Sequence, residues 1–138
     1  MRNWRVLSLV LVCVAAVLVW QMLPMPATQA GMMMKLPPGV TLKTLNTFDA
    51  AGMPGVKKVT YNRFEMKPGA KFPDFMEEAN HWDFCVIAGG QLTAKLPDGK
   101  TVTHKTGESY FIPPNTKAAL SNTGKVTAVD LFWEFEVQ

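Results

Sequence analysis

Beyond Leu36 the chain is cut repeatedly by turn-forming residues, and no convincing helix appears between the cuts. Pro37-Pro38-Gly39, Ala51-Gly52-Met53-Pro54-Gly55, Pro68-Gly69, Gly89-Gly90, Pro113-Pro114-Asn115 and Ser121-Asn122-Thr123-Gly124 each mark a loop or tight bend. Pro97-Asp98-Gly99-Lys100 is a hairpin turn, since Asp-Gly supplies the positive φ that hairpins need. The segments between read as strands. Val56 to Met66 alternates, with Tyr61, Arg63 and Glu65 on one face and Thr60, Asn62, Phe64 and Met66 on the other. Trp82 to Ala88 is the most apolar segment and is expected to cross the core. Val40 to Leu45, Gln91 to Leu96, Thr101 to Lys105, Gly107 to Ile112, Lys117 to Leu120 and Lys125 to Val137 complete the predicted strands. Lys71 to Ala79 is too irregular to assign. In the last strand Thr127, Val129, Leu131, Trp133, Phe135 and Val137 form the more apolar face and are predicted to point inward. That phase puts Glu134 and Glu136 in solvent and leaves Phe132 exposed beside acidic neighbours, where a phenyl suits a protein contact. Many short strands with Gly/Pro turns predict an all-β sandwich or barrel.

The N-terminal segment obeys a different rule. Arg2 and Arg5 precede an uncharged apolar run of 18 residues, Val6 to Leu23. A helix needs about 20 residues to cross a hydrocarbon layer of ~30 Å, and about 17 is the practical minimum. Trp4 and Trp20 lie near the ends, where amphipathic rings favour the interface. Arginines before the run keep the N-terminus cytoplasmic and place the rest on the extracytoplasmic, periplasmic side. The expected organisation is a single-pass membrane anchor over 1–23, a Met/Pro-rich linker over 24–39 and a β-barrel domain over 40–138. The alternative is a signal sequence cleaved after Thr28-Gln29-Ala30, which releases the domain to the periplasm. Trp20, Met22, Met25, Met32, Met33 and Met34 are expected to pack on membrane lipid or a neighbouring protein, thioethers being adaptable packing groups. They are also soft ligands suited to Cu(I).

Composition excludes several functions. The formal net charge is +3, and Arg2 and Arg5 supply two of those charges. The remaining lysines are scattered among carboxylates without a basic stripe, which excludes a nucleic-acid partner. Cys13 lies in the apolar run, so it cannot meet Cys85, which is expected to be a small buried hydrophobe. The absence of a CxxC motif leaves c-type haem and a redox dithiol without support.

The spacing of Gly107, Pro113 and Asn122 resembles the second motif of the cupin superfamily, a small double-stranded β-helix (jelly-roll) barrel. Asn115 stands where that motif has a glycine, and asparagine tolerates the same left-handed backbone. Ala118 stands where it has a metal-binding histidine. Pro68-Gly69 and Val86 to Leu92 resemble the opening and close of the first motif. On that alignment Asp83 falls on the family's glutamate ligand, and Glu77 and Glu78 lie where paired histidines are expected. The resemblance covers roughly Val56 to Phe135. It implies a cupin-like barrel with degenerate metal-binding motifs, in which a homodimer is left open.

Glu77, Glu78, His81 and Asp83 form the densest cluster of titratable groups. Structural roles at a loop and strand start account for them without chemistry. Alternatively, all four bind one divalent metal ion, resembling a 2-His-1-carboxylate site, or His81, Glu77 and Glu78 perform acid/base catalysis. His104, the other histidine, is expected on a strand neighbouring His81. Trp82, Phe84, Tyr110, Phe111, Phe132 and Trp133 are core aromatics or line an apolar cavity. The leading functional expectation is an accessory subunit, held outside a membrane and binding a larger membrane protein complex of respiratory or photosynthetic type, with no catalytic residue or cofactor of its own. The alternatives are a metal-dependent enzyme of the oxygenase or isomerase class and a metal-free binding module for a small apolar ligand.

Overall fold

A computed structural model describes residues 35–138. The predicted anchor and linker contacts (Trp20, Met22, Met25, Met32, Met33 and Met34) lie outside the described residues. Among the described residues, no helix is long and apolar enough to cross a membrane.

Nine strands form two antiparallel sheets: β1 Val40–Asp49, β2 Val56–Met66, β3 Lys71–Met76, β4 His81–Gly89, β5 Gln91–Lys95, β6 Thr101–Lys105, β7 Ser109–Ile112, β8 Lys117–Ser121 and β9 Ala128–Val137. One sheet has the order β1-β2-β9-β4-β7 and the other β3-β8-β5-β6. This is the expected all-β jelly roll. The segment from Lys71, too irregular to assign from sequence, forms β3 with a register shift between Phe72 and Phe75 where it pairs with β8. Such irregularity erases the period-two signal. β1 runs past Leu45 to Asp49, with its register shifted between Thr44 and Asn46.

The core fills one end of the space between the sheets. Val40, Phe64, Met66, Phe72, Ile87, Leu92 and Ala128 are buried together, with Leu120, Tyr110 and Phe132 packed against them. Two turns hold this end closed. Gly90 has φ 68, and a Cβ there would lie 2.7 Å from the Thr127 carbonyl oxygen, so only glycine fits. Asn122 is buried; its Nδ2 donates to the carbonyls of Met66 and Val126, both at 2.8 Å, and its Oδ1 accepts from Gly124 N–H. Asn115 has φ 60, the left-handed backbone expected of it.

The predicted phase of β9 is inverted. Antiparallel pairing sets Asp130 opposite Phe64 and Ile87, Phe132 opposite Asn62 and Cys85, and Glu134 opposite Thr60 and Asp83. Phe64, Asn62, Thr60, Ile87, Cys85 and Asp83 are all buried, so Ala128, Asp130, Phe132 and Glu134 face inward. Phe132 packs on the core and is no exposed contact. Trp133 and Phe135 face outward. The apolar rings do not seek the interior because they cover one another on the outer face of the sheet.

Candidate functional site

The interior of the five-stranded sheet becomes polar row by row away from the core. In the middle, Tyr110 of β7 donates its hydroxyl to Asp130 of β9, and His104 of β6 stacks on the Tyr110 ring at 4.0 Å. His104 therefore lies on the opposite sheet from His81 and not on a neighbouring strand. Burial pushes the Asp130 carboxyl up to about 7, partly offset by the Tyr110 hydroxyl. Burial also raises the Tyr110 hydroxyl and the free, buried Cys85 thiol, which is inert packing as expected.

The next row carries a cluster of carboxyls. Glu134 and Asp83 sit directly opposite one another on β9 and β4. Glu77 follows β3, its N–H donating to the Thr116 carbonyl at 2.8 Å. One oxygen from each of Glu77, Asp83 and Glu134 lies within 4.8 Å of the others. Glu77 is 6% exposed and Asp83 4%. Like charges directly opposite on a sheet repel, and burial strengthens the repulsion. Burial accordingly pushes Asp83 up to about 9, with Glu77 and Glu134 adding to it, and burial also raises Glu77 and Glu134. Three carboxylates cannot all stay ionised here unaided: they keep protons or gather around a cation. Asp83 Oδ1 is buried with no hydrogen-bond partner.

Of the four residues grouped in the sequence, Glu77 and Asp83 converge. Glu78 and His81 stand outside that tight group but beside it: His81, on the same face of β4 as Asp83, favours the ionised form of Glu77 and Glu134, and Glu78 disfavours that of Glu134. His81 Nδ1 lies 3.1 Å from Glu78 Oε2, close but without hydrogen-bond alignment. His81 belongs to the rim row, opposite Glu136, whose Oε2 pairs with Lys58 Nζ at 3.0 Å. Glu134 is the residue sequence reasoning missed, because the inverted β9 phase sent it to solvent. Its alternation with Asp130 and Phe132 was the available signal.

The outer face of the same sheet is aromatic. Tyr61 stacks on Trp133 at 4.8 Å, and Trp82 stacks on Phe135 at 4.1 Å and on Phe111 at 5.0 Å. Phe84 touches Trp133 and Phe111 at 6.0 and 6.4 Å. The rings form one ribbon across β2, β9, β4 and β7, with Phe111 56% and Phe84 39% exposed. The aromatics expected in one core or cavity therefore divide: Tyr110 and Phe132 inside, Trp82, Phe84, Phe111 and Trp133 outside. Two open surface clefts, one lined by Phe75, Met76 and Lys117 and one by Lys43, Arg63 and Glu65, include none of the three clustered carboxyls.

A family model described as "Cupin domain" matches residues 62–134, over half of the chain, and the chain belongs to the cupin superfamily. No curated protein matches it. Among solved structures it is similar to the cupin domain of an XRE family transcriptional regulator from Enterobacter cloacae, at 17% identity over 72% of this chain and 99% of that one, TM-score 0.59. It is similar to the Cnp3 cupin domain of Schizosaccharomyces pombe at 15% identity over 75% and 69% of the two chains, TM-score 0.58. It is also similar to the polyketide cyclase RemF of Streptomyces resistomycificus, at 20% identity over 72% and 66%, TM-score 0.56. At such identities the similarity shows the fold alone.

Cupins often bind metal, and the donors present here fit a hard cation better than an imidazole-loving one. Ala118 contributes no ligand, and the clustered atoms are all carboxylate oxygens.

Proposed function

We propose that this cupin is an extracytoplasmic accessory subunit, held at a membrane by its N-terminal segment, that docks through the outer face of its five-stranded sheet onto the extramembrane surface of a larger membrane protein. The observation that carries the reading is the aromatic ribbon of Tyr61, Trp82, Phe84, Phe111, Trp133 and Phe135. Contiguous exposed apolar surface marks interaction sites, and Trp, Tyr and Phe are enriched in interface cores. A membrane-protein occupant is favoured by the chain before Lys35. Its uncharged apolar run from Val6 to Leu23 is long enough to anchor, and its Met-rich neck leads into β1, the edge strand of the same sheet. A respiratory or photosynthetic complex is the host class this reading predicts.

Solubilising the native membrane in mild detergent and separating it on a native gel tests the reading. The full chain is expected in the membrane fraction and in a band several times its own mass. Phe111→Ser with Phe84→Ser is expected to release it from that band while its melting temperature stays near that of the unsubstituted protein. Migration as a free monomer, or as a dimer of this chain alone, contradicts the reading.

A second reading, small-molecule chemistry inside the barrel, is favoured by the convergence of Glu77, Asp83 and Glu134. A proton-bearing Asp83 beside two further carboxyls is equipped for acid/base work. Stoichiometric iron or manganese in untagged protein, lost in Asp83→Asn or Glu134→Gln, would favour this reading as a metal-dependent oxygenase or isomerase.

A further inference from the structure

The outer face of the five-stranded sheet changes character from row to row. One row runs Phe48, Val59, Phe135 and Trp82 across β1, β2, β9 and β4. Phe48, 45% exposed, therefore carries the aromatic ribbon onto the edge strand. The next row runs Asn46, Tyr61, Trp133, Phe84 and Phe111. The row beyond it runs Lys43, Arg63, Leu131 and Val86. The centre of the face stays apolar there, while the β1–β2 edge becomes charged.

At that edge the register sets two cations side by side. Lys43 and Arg63 are direct cross-strand partners, and like charges so placed cost stability. Glu65 answers one of them: its Oε1 accepts from Arg63 Nε. That bond leaves the terminal amino groups of the guanidinium to donate elsewhere. Lys43 forms no ion pair among the described residues. Two cations against one carboxylate leave a single positive charge. With Thr41 and Leu45 these side chains line an open cleft of about 550 Å³. On β2 the cleft begins two residues from Tyr61, whose ring stacks on Trp133.

Charge and geometry define what fits. One carboxylate balances the excess charge, and a guanidinium takes carboxylates in two parallel N–H···O bonds. A phosphate would bring a second negative charge against Glu65. An apolar centre with a charged rim is the anatomy of a protein interface. Rim charge of this kind sets partner choice and orientation more than raw affinity.

Resting on the docking reading, we infer that the partner protein presents an aspartate or glutamate carboxylate to the Lys43–Arg63 cleft, next to the apolar surface that covers the aromatic ribbon.

Zero-length carbodiimide coupling in native membranes containing the full chain tests this, because it joins lysine amines to carboxylates in contact with them. The expected product is an amide between Lys43 and an Asp or Glu of a different protein, mapped by mass spectrometry. Lys43→Arg keeps the charge and cannot form the amide, so it should lose that product and keep the high-mass native band. Lys43→Gln with Arg63→Gln should raise the free-to-bound ratio on the native gel about threefold at low salt and flatten its dependence on NaCl. An unchanged ratio and salt response in this double variant, or Lys43 products that reach only Glu65 of the same chain, would overturn the inference and leave the docking reading standing. A weakened band with no Lys43 product would assign the two cations to a lipid phosphate and overturn it as well. A full chain that never enters the high-mass band would remove the docking reading and this inference together.

Discussion

At the scale of single residues, the barrel is held by buried polar groups whose partners are fixed. Asn122 joins the end of β2 to the loop before β9 through both ends of its amide. Its replacement by alanine strands the carbonyls of Met66 and Val126 and the N–H of Gly124. Asn122→Ala is therefore expected to cost about 2–4 kcal/mol in chemical denaturation, from lost hydrogen bonds and unsatisfied buried groups. Asp130 has a different signature. Its carboxyl faces the Tyr110 hydroxyl of β7 and the Cys85 thiol of β4, with Asp83 further along β4 and the His104 ring stacked on Tyr110 from the other sheet. Its folded-state value of about 7 lies above the ordinary 3.8, so the fold favours the protonated form. The contribution is fully present below pH 3.8 and is lost as pH rises through 7. Asp130→Asn should flatten the stability profile across that window, gaining on the order of 1–4 kcal/mol over the unsubstituted chain at pH 8. Parallel urea melts from pH 4 to pH 8 check this, and equal slopes would remove Asp130 from the account.

At the scale of elements, β9 decides what the molecule presents on each side. Phe132 packs inward and Trp133 outward. Phe132→Ala is expected to cost about 2–4 kcal/mol by opening a cavity, and Trp133→Ala distinctly less. Denaturant midpoints of the two variants measure the difference, and the reverse order would restore the phase expected from hydropathy. That expectation shows where sequence reading stops. Turn residues located most of the strands, because Gly and Pro act locally: β2 and β6 begin and end where the sequence puts them. The faces of β2 were also legible, because Tyr61, Arg63 and Glu65 against Asn62, Phe64 and Met66 is a clean alternation. β9 carries aromatics on one face and carboxyls on the other, and local hydrophobicity points the wrong way. Its phase is set by register with β2 and β4, which a single sequence does not display. Glu134 was lost from the candidate site for that reason alone, whereas Glu77 and Asp83 were found because they align with family motif positions.

At the scale of the whole molecule, one sheet separates two chemistries. Its inner face gathers carboxyls above an apolar core, and its outer face exposes stacked rings. The cupin fold accounts for the scaffold and for Asn115 and Asn122 at its turns. Ala118 stands where the resemblance places a metal-binding imidazole, and Glu134 brings a carboxyl to the interior from β9. If the outer face is the docking surface, substitutions there should change association and leave the fold intact, while substitutions in the interior should do the reverse.

The most direct measurement is site-specific photo-crosslinking in native membranes. A benzophenone amino acid is placed at Phe111, in the aromatic ribbon, and separately at Val102, which is 39% exposed on the other sheet. Position 111 should crosslink the full chain to one larger membrane protein, identified by mass spectrometry, and position 102 should not. Crosslinks from position 111 to a second copy of this chain alone, or none at all, would contradict the docking account.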